Sequence, residues 1–206
     1  MINILWNGQE VDIPVKNTEK IIDLVEKLKE KSRSEKNIIT DIKIDGKNFF
    51  GEDSDILNGT TIQDVQQIHV NTENQQKLVL KVIDGMIDYF PRLLIGIENI
   101  SNSFRIENTI EANTNLLKAI DGMKNFVDFL HALQNIYRIE LRKMVIMEND
   151  VESLFSNLII QLKNLYKAMN INDSIMTADL LDYEITPLLK AWATILPGIK
   201  ELILKF

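Results

Sequence analysis

The sequence has no cysteine, only two histidines and only four prolines among its 206 residues. Without cysteine there are no disulfides, no thiolate nucleophiles and no cysteine-ligated zinc or iron–sulfur sites. No apolar run reaches about 18 residues, so no membrane span is predicted. The first residues also lack the basic start and the apolar run of a secretory signal. We therefore expect a cytoplasmic protein.

Positive charge is scarce as well. The net charge is −7, and residues 1–73 contain nine basic and 14 acidic side chains. Nucleic acids and anionic membranes are bound by basic surfaces, so neither is expected as a partner. The 31 isoleucines and 20 asparagines indicate AT-rich coding and favour a bacterial origin.

Short alternating segments occupy residues 1–73 and predict a small sheet with one helix. An alternating run over 2–6 ends in Asn7-Gly8, and a later run ends in Asp45-Gly46, both strong hairpin signals. A returning strand is expected over 11–15. Apolar residues at helical spacing over 21–28 predict a helix with Thr18 as its N-cap. A last strand is predicted over 68–72.

This order of strands and helix resembles the ubiquitin-like β-grasp fold over about 70 residues. Modifiers and sulfur carriers of that fold end in a flexible Gly-Gly whose carboxylate is activated. Here the last strand runs through Val70–Glu73 into a helix without a Gly-Gly. The resemblance therefore implies a binding module, and conjugation and sulfur transfer are not expected.

After residue 73 the hydrophobic period lengthens to about 3.6, which predicts helices. We expect an antiparallel bundle of four to five helices over 74–206. The predicted helices cover residues 75–97, 110–137, 150–169 and 176 to the end, and Asp150 is the expected N-cap of the third. Pro91 should kink or divide the first helix, and Pro187 and Pro197 should bend or segment the last. The segment 138–147 either extends the second helix or joins the third. The overall prediction is an α+β chain with domains 1–73 and 74–206.

A four-residue sequence occurs twice in this helical part. Ile83-Asp84-Gly85-Met86 returns as Ile120-Asp121-Gly122-Met123, 37 residues later. One interpretation is an old duplication of a helix. The other is that a glycine inside each helix allows close helix packing, despite a cost of about 1 kcal/mol relative to alanine.

Few residues are candidates for catalysis or for metal binding. Asp128 and His131 have the i, i+3 spacing of metal ligands, but a di-metal bundle needs two Glu-x-x-His pairs and two further glutamates. The carboxylates Asp179, Asp182 and Glu184 are interpreted as favourable charges at the start of a helix. Neither a Gly-x-Ser-x-Gly elbow nor a glycine-rich phosphate loop occurs. We predict no catalytic, cofactor-binding or metal-binding residues and no cofactor.

The last helix carries a dense apolar set. A core position and a partner-binding role, including self-association through this helix, are both open interpretations. The predicted partner-binding residues are Tyr183, Leu188, Leu189, Trp192, Ile195 and Leu196.

The stretch Tyr183-Glu184-Ile185-Thr186-Pro187-Leu188-Leu189-Lys190-Ala191-Trp192 resembles a Tyr-Glu-x-x-Pro-Leu-Leu-x-x-Trp segment of uncharacterised bacterial helical proteins. Those proteins also carry a small α/β front domain with an Ile-Asp-Gly hairpin, like Ile44-Asp45-Gly46 here. The resemblance implies an architecture and no activity.

The leading hypothesis is a non-enzymatic interaction or adaptor protein that binds a protein partner. The alternatives are an export chaperone for a helical client, as in flagellar export, and, less favoured, a metal-dependent enzyme within the bundle.

Overall fold

A computed structural model describes residues 2–49 and 59–206. The chain divides into two compact units, Met1–Leu78 and Val79–Phe206. The first contains a mixed sheet and the second is almost wholly helical, which confirms the predicted α+β chain with a sheet domain followed by a helical region.

The first unit is a five-stranded sheet in the order β2-β1-β5-β3-β4. The strands are β1 (Asn3–Trp6), β2 (Gln9–Glu10), β3 (Asn37–Ile44), β4 (Lys47–Asn48) and β5 (Gln67–Asn74). Strands β1 and β5 are parallel, whereas every other pair is antiparallel. Both predicted hairpin turns form, with positive φ at Asn7 and Gly8 and at Asp45 and Gly46.

Helix α1 (Ile21–Ser34) covers one face of this sheet and buries the apolar stripe predicted from its spacing. The core of the unit comprises Ile4, Trp6, Ile21, Leu24, Val25, Leu28, Ile62, Val65, Ile68 and Val70. The hydroxyl of Ser32, which is buried, donates to the carbonyl of Asn37 over 2.8 Å and joins the helix end to β3.

Two local predictions for this unit are wrong. Thr18 is not the N-cap, because α1 begins at Ile21 after Lys20, which forms a β-bridge with Thr61. The returning strand is Gln9–Glu10 and not 11–15. Val11 still donates to Ile4, but Pro14 has no backbone N–H to extend a ladder.

The second unit contains four antiparallel helical rods. They are α2 (Gln75–Arg105), which begins in the first unit, α3 (Thr109–Tyr137), α4 (Val151–Asn170) and a last rod in three segments. That rod consists of α5 (Ser174–Asp179), a π-helical segment (Leu180–Ile185) and α6 (Thr186–Ile203). A predicted feature of α4 is confirmed, since Asp150 caps it by accepting from the backbone N–H groups of Glu152 and Ser153.

Two other predictions for the bundle are corrected. Helix α2 is continuous over Gln75–Arg105, so of the two predicted effects of Pro91 the division is wrong and the kink stays a prediction; Phe90 and Leu93 on either side are both buried in the core. The segment after α3 neither extends that helix nor joins α4, and its helical part is a single 3₁₀ turn over Leu141–Lys143. Arg138 ends α3 with φ 51°, and a hairpin of β6 (Val145–Ile146) and β7 (Asn149–Asp150) follows.

The repeated Ile-Asp-Gly-Met sequence has two different structural environments. A Cβ on Gly122 would lie 2.2 Å from the hydroxyl oxygen of Tyr89 on α2, so this glycine permits close packing of α2 and α3. A Cβ on Gly85 would meet no atom within 4 Å. Close packing therefore explains the second glycine and leaves the first unexplained.

Candidate functional site

The last rod changes its helical form at the segment that the sequence singled out. Asp173 caps α5 by accepting from the backbone N–H of Met176 over 2.8 Å, and the π-helical segment begins seven residues after it, at Leu180. π-helical turns are rare in proteins overall, but those that do occur are often located at functional sites. The segment buries Leu181 and Ile185 in the core, while Tyr183 is 70% exposed.

Helix α2 holds this segment in place through Arg105. The guanidinium Nη2 donates to Asp179 over 2.7 Å and to Asp182 over 3.0 Å. These hydrogen bonds raise the pKa of Arg105 above its usual range, and the bond to Asp179 has the largest effect. One turn earlier, the buried hydroxyl of Ser101 donates to the carbonyl of Ala178 over 3.3 Å. The position of the π-helical segment is thus set from a neighbouring helix.

The carboxylate of Glu184 has a different environment. It accepts from the side-chain amide of Gln161 on α4 over 3.2 Å, and that residue accepts from Asn164 over 3.1 Å. Among the ion pairs of the described residues, none includes Glu184 or Asp173. The predicted role of Asp179, Asp182 and Glu184 as charges that open a helix is wrong, since the helix begins at Ser174 and Asp173 is its cap.

A cleft of about 410 Å³ lies beside the π-helical segment. Its lining residues are Asp173, Ile175, Met176, Asp179, Leu180, Tyr183 and Glu184. Three apolar or aromatic side chains of this set, Ile175, Met176 and Tyr183, are exposed. The lining of the cleft therefore combines exposed apolar side chains with three carboxylates, those of Asp173, Asp179 and Glu184.

The neighbouring turn between α2 and α3 adds further exposed apolar side chains, because Ile106 and Ile110 are 75% and 84% exposed. This turn and the turn between α4 and α5 lie at the same end of the bundle. A small cavity of about 120 Å³ is lined by Phe104 and Thr109 from one turn and Met169 and Asn172 from the other. We define the end surface as the exposed side chains of Ile106, Ile110, Ile171, Ile175, Met176 and Tyr183.

The residues predicted to bind a partner are not together on this surface. Four of them are fully buried in the core of the helical unit, namely Leu189, Trp192, Ile195 and Leu196. Phe126 packs edge-on against Trp192, with ring centroids 4.9 Å apart. Only Tyr183 is exposed, and Leu188 is half-buried. The part of the predicted patch that reaches the surface is thus Tyr183 with Leu188.

The histidine and carboxylate pair considered for metal binding lies on the surface of α3. Asp128 and His131 are both exposed, and the His131 ring packs edge-on against Phe155 with centroids 5.2 Å apart. In the described part of the chain, no three histidine or acidic side chains are grouped as a metal ion would require. No helix in that part is long and apolar enough to cross a membrane.

A second concave region runs between α2 and α3. It is a groove of about 580 Å³ whose lining includes Tyr89, Arg92, Asn99, Asn115 and Lys118. These side chains are mostly polar, whereas six of the 15 large exposed apolar side chains of the described residues belong to the end surface. We therefore take the end surface as the candidate site.

The end surface was not among the sites predicted from the sequence. The available signal was isoleucine beside turn residues, as in Ile171-Asn172-Asp173-Ser174-Ile175 and Ile106-Glu107-Asn108. Loops are usually polar, so large apolar side chains at two turns point to a use for them. That the two turns share one end of the bundle becomes visible only in the folded chain.

Comparison with known proteins gives two matches. A family model described as a domain of unknown function, DUF8042, matches residues 81–195, which include the whole end surface and the π-helical segment. A model described as the TP0873 N-terminal domain matches residues 2–74. Neither the curated proteins nor the solved structures contain a match to this chain.

Proposed function

We propose that this chain, which belongs to the family described as domain of unknown function DUF8042, is a non-enzymatic protein-binding protein. The observation that carries the proposal is the end surface, where six large apolar side chains are exposed on two neighbouring turns and on the start of the last rod. Three of them, Ile175, Met176 and Tyr183, line one cleft, and contiguous exposed apolar surface on a folded protein commonly marks an interaction site.

Burial of the end surface would release enough free energy to hold a protein complex together. Burying an exposed isoleucine, methionine or comparable side chain stabilises by roughly 1.5–3 kcal/mol. Six such side chains offer several times that amount, from which the loss of translational and rotational freedom must be subtracted. A micromolar complex needs about 8 kcal/mol. The end surface therefore suits a reversible complex of moderate affinity.

The surface is also held in shape before any partner arrives. Arg105 fixes Asp179 and Asp182, and Gln161 fixes Glu184, so the residues around Tyr183 have a set arrangement. A preorganised surface loses less conformational entropy on binding. This supports recognition of a particular partner rather than non-specific adhesion.

The sheet unit supports the same class of function. Its strand order, with β1 and β5 parallel at the centre, resembles that of the ubiquitin-like β-grasp fold. Strand β5 ends at Asn74 and α2 begins at Gln75, so no Gly-Gly tail follows the last strand. On this basis we assign the sheet unit a binding role and no conjugation chemistry.

Site-specific photo-crosslinking tests the proposal. A photoreactive amino acid replaces Tyr183 in the full chain, and a control variant carries it in place of Tyr166, which is similarly exposed but lies on α4. In cells of the native host, we expect a discrete protein adduct at the first position and none at the second. Adducts at neither position, or the same adducts at both, would refute a specific interaction at the end surface.

A further inference from the structure

The end surface is strongly acidic as well as apolar. The two stretches that form it, 105–111 and 171–184, contain six carboxylates and a single cation, Arg105. The carboxylates are Glu107, Glu111, Asp173, Asp179, Asp182 and Glu184. Arg105 pairs with two of them, so most of the negative charge around the apolar side chains is uncompensated.

The apolar side chains are spaced as a helical partner would need. Ile175 and Tyr183 lie on the same rod, eight residues apart, which corresponds to about 12 Å at the α-helical rise and to somewhat less where the rod is π-helical. Apolar side chains at i and i+7 of a second helix are about 10.5 Å apart, so both could be covered at once. Amphipathic helices bind apolar grooves through such i, i+3, i+4 and i+7 anchors.

We infer that the end surface binds an amphipathic helix of another protein whose apolar stripe is flanked by lysine or arginine. This inference rests on the proposed function and adds the chemistry of the partner. The apolar stripe covers Ile175, Met176 and Tyr183, and the flanking cations face Asp173 and Glu184, which line the same cleft.

The same charges argue against two other occupants. A second copy of the chain presenting its own end surface would set six carboxylates against six. Nucleic acid and anionic membranes would meet a surface of their own sign. Complementary potentials instead speed encounter with a cationic segment and select against acidic ones.

A model peptide tests the inference directly. The probe is a fluorescent peptide with leucine at helical spacing and lysine at all other positions, and its counterpart has glutamate in place of each lysine. We expect the lysine peptide to bind the full chain, more weakly as salt is raised, and the glutamate peptide not to bind. Fluorescence anisotropy measures both affinities.

Matched variants locate the binding. Glu184→Lys is compared with Glu201→Lys, which makes the same charge change near the other end of the last rod, and Tyr183→Ser is compared with Tyr166→Ser. We expect Glu184→Lys and Tyr183→Ser each to weaken binding by about tenfold or more, the effect of 1.4 kcal/mol. The two control variants should bind as the unaltered chain does, and circular dichroism verifies that all four fold.

Equal affinity for the two peptides, or equal effects of the site and control variants, would overturn the inference. If photo-crosslinking at position 183 still gave a discrete adduct, only the basic amphipathic partner would be excluded. If the peptide experiment and the photo-crosslinking experiment both failed, the inference and the proposed function would both be refuted. Concentration-dependent self-association abolished by Tyr183→Ser would instead indicate a second copy as the occupant and would contradict the inference.

Discussion

The two glycines of the repeated Ile-Asp-Gly-Met sequence give a sharp test of how packing and helix propensity compete. Alanine is favoured over glycine inside a helix by about 1 kcal/mol. At Gly85, where an added Cβ meets nothing within 4 Å, the substitution Gly85→Ala should deliver that gain. We expect the free energy of unfolding of the helical unit to rise by about 1 kcal/mol, or roughly 4 °C in Tm.

At Gly122 the same propensity gain is opposed by a clash. The added Cβ would lie 2.2 Å from the Tyr89 hydroxyl oxygen and 3.1 Å from its Cζ. Overpacking of this kind costs about 1–3 kcal/mol, so Gly122→Ala should be neutral or destabilising. The two alanine variants should therefore differ by about 1–3 kcal/mol in unfolding free energy.

The cause of that difference can be isolated with Tyr89→Phe. This change removes the nearest atom and leaves the ring carbon at 3.1 Å, so it should recover most of the loss in Gly122→Ala and should not affect Gly85→Ala. A double-mutant cycle gives the coupling energy. The cycle needs only the unfolding free energies of the single and double variants.

The assay can follow the helical unit by itself. Trp192 is fully buried in the helical core, and the other tryptophan, Trp6, lies in the sheet unit. In a Trp6→Phe background, urea titration followed by fluorescence reports on the helical unit alone. Equal stability of the two alanine variants, or a Gly122→Ala effect that persists unchanged with Tyr89→Phe, would show that the contact with Tyr89 does not determine the outcome.

Two further predictions concern the hairpin before α4 and the cap of that helix. Glu148 has φ 65°, so Glu148→Gly should stabilise the helical unit by about 1 kcal/mol, and an unchanged or lower urea midpoint would count against strain there. A hydrogen bond from Ser153 lowers the pKa of Asp150, so its stabilisation is present at neutral pH and is lost as pH falls through the folded-state pKa. Thermal melts across acidic pH should show a shallower acid loss in Asp150→Asn, and an unchanged slope would contradict this.

Regular elements with strong local signals could be read from the sequence. The turns Asn7-Gly8 and Asp45-Gly46 use residues that tolerate positive φ, and both form. Asp150 caps α4 as predicted, because a carboxylate can accept from the N–H groups two and three residues later. Each of these outcomes depends on chemistry within a few residues of chain.

The hairpin β6–β7 illustrates what local signals cannot reveal. Its two turn residues, Met147 and Glu148, have positive φ without being glycine or asparagine, so no turn signal marks them. The hairpin packs on α6 at Gly198, where an added Cβ would lie 2.6 Å from a methyl carbon of Ile146. Local preference disfavours this turn. The hairpin nevertheless forms, and it contacts a helix some 50 residues later along the sequence.

The sequence by itself determined the class of the chain: a sheet unit, then helices, with no cysteine chemistry and an acidic balance. Those properties follow from residue types and from periods of two and 3.6. Only the tertiary structure decided which apolar residues are covered. Trp192 and Tyr183 belong to the same predicted patch, yet one is fully buried and the other is 70% exposed. The reason is physical, since exposure depends on which helices pack against each face of the last rod.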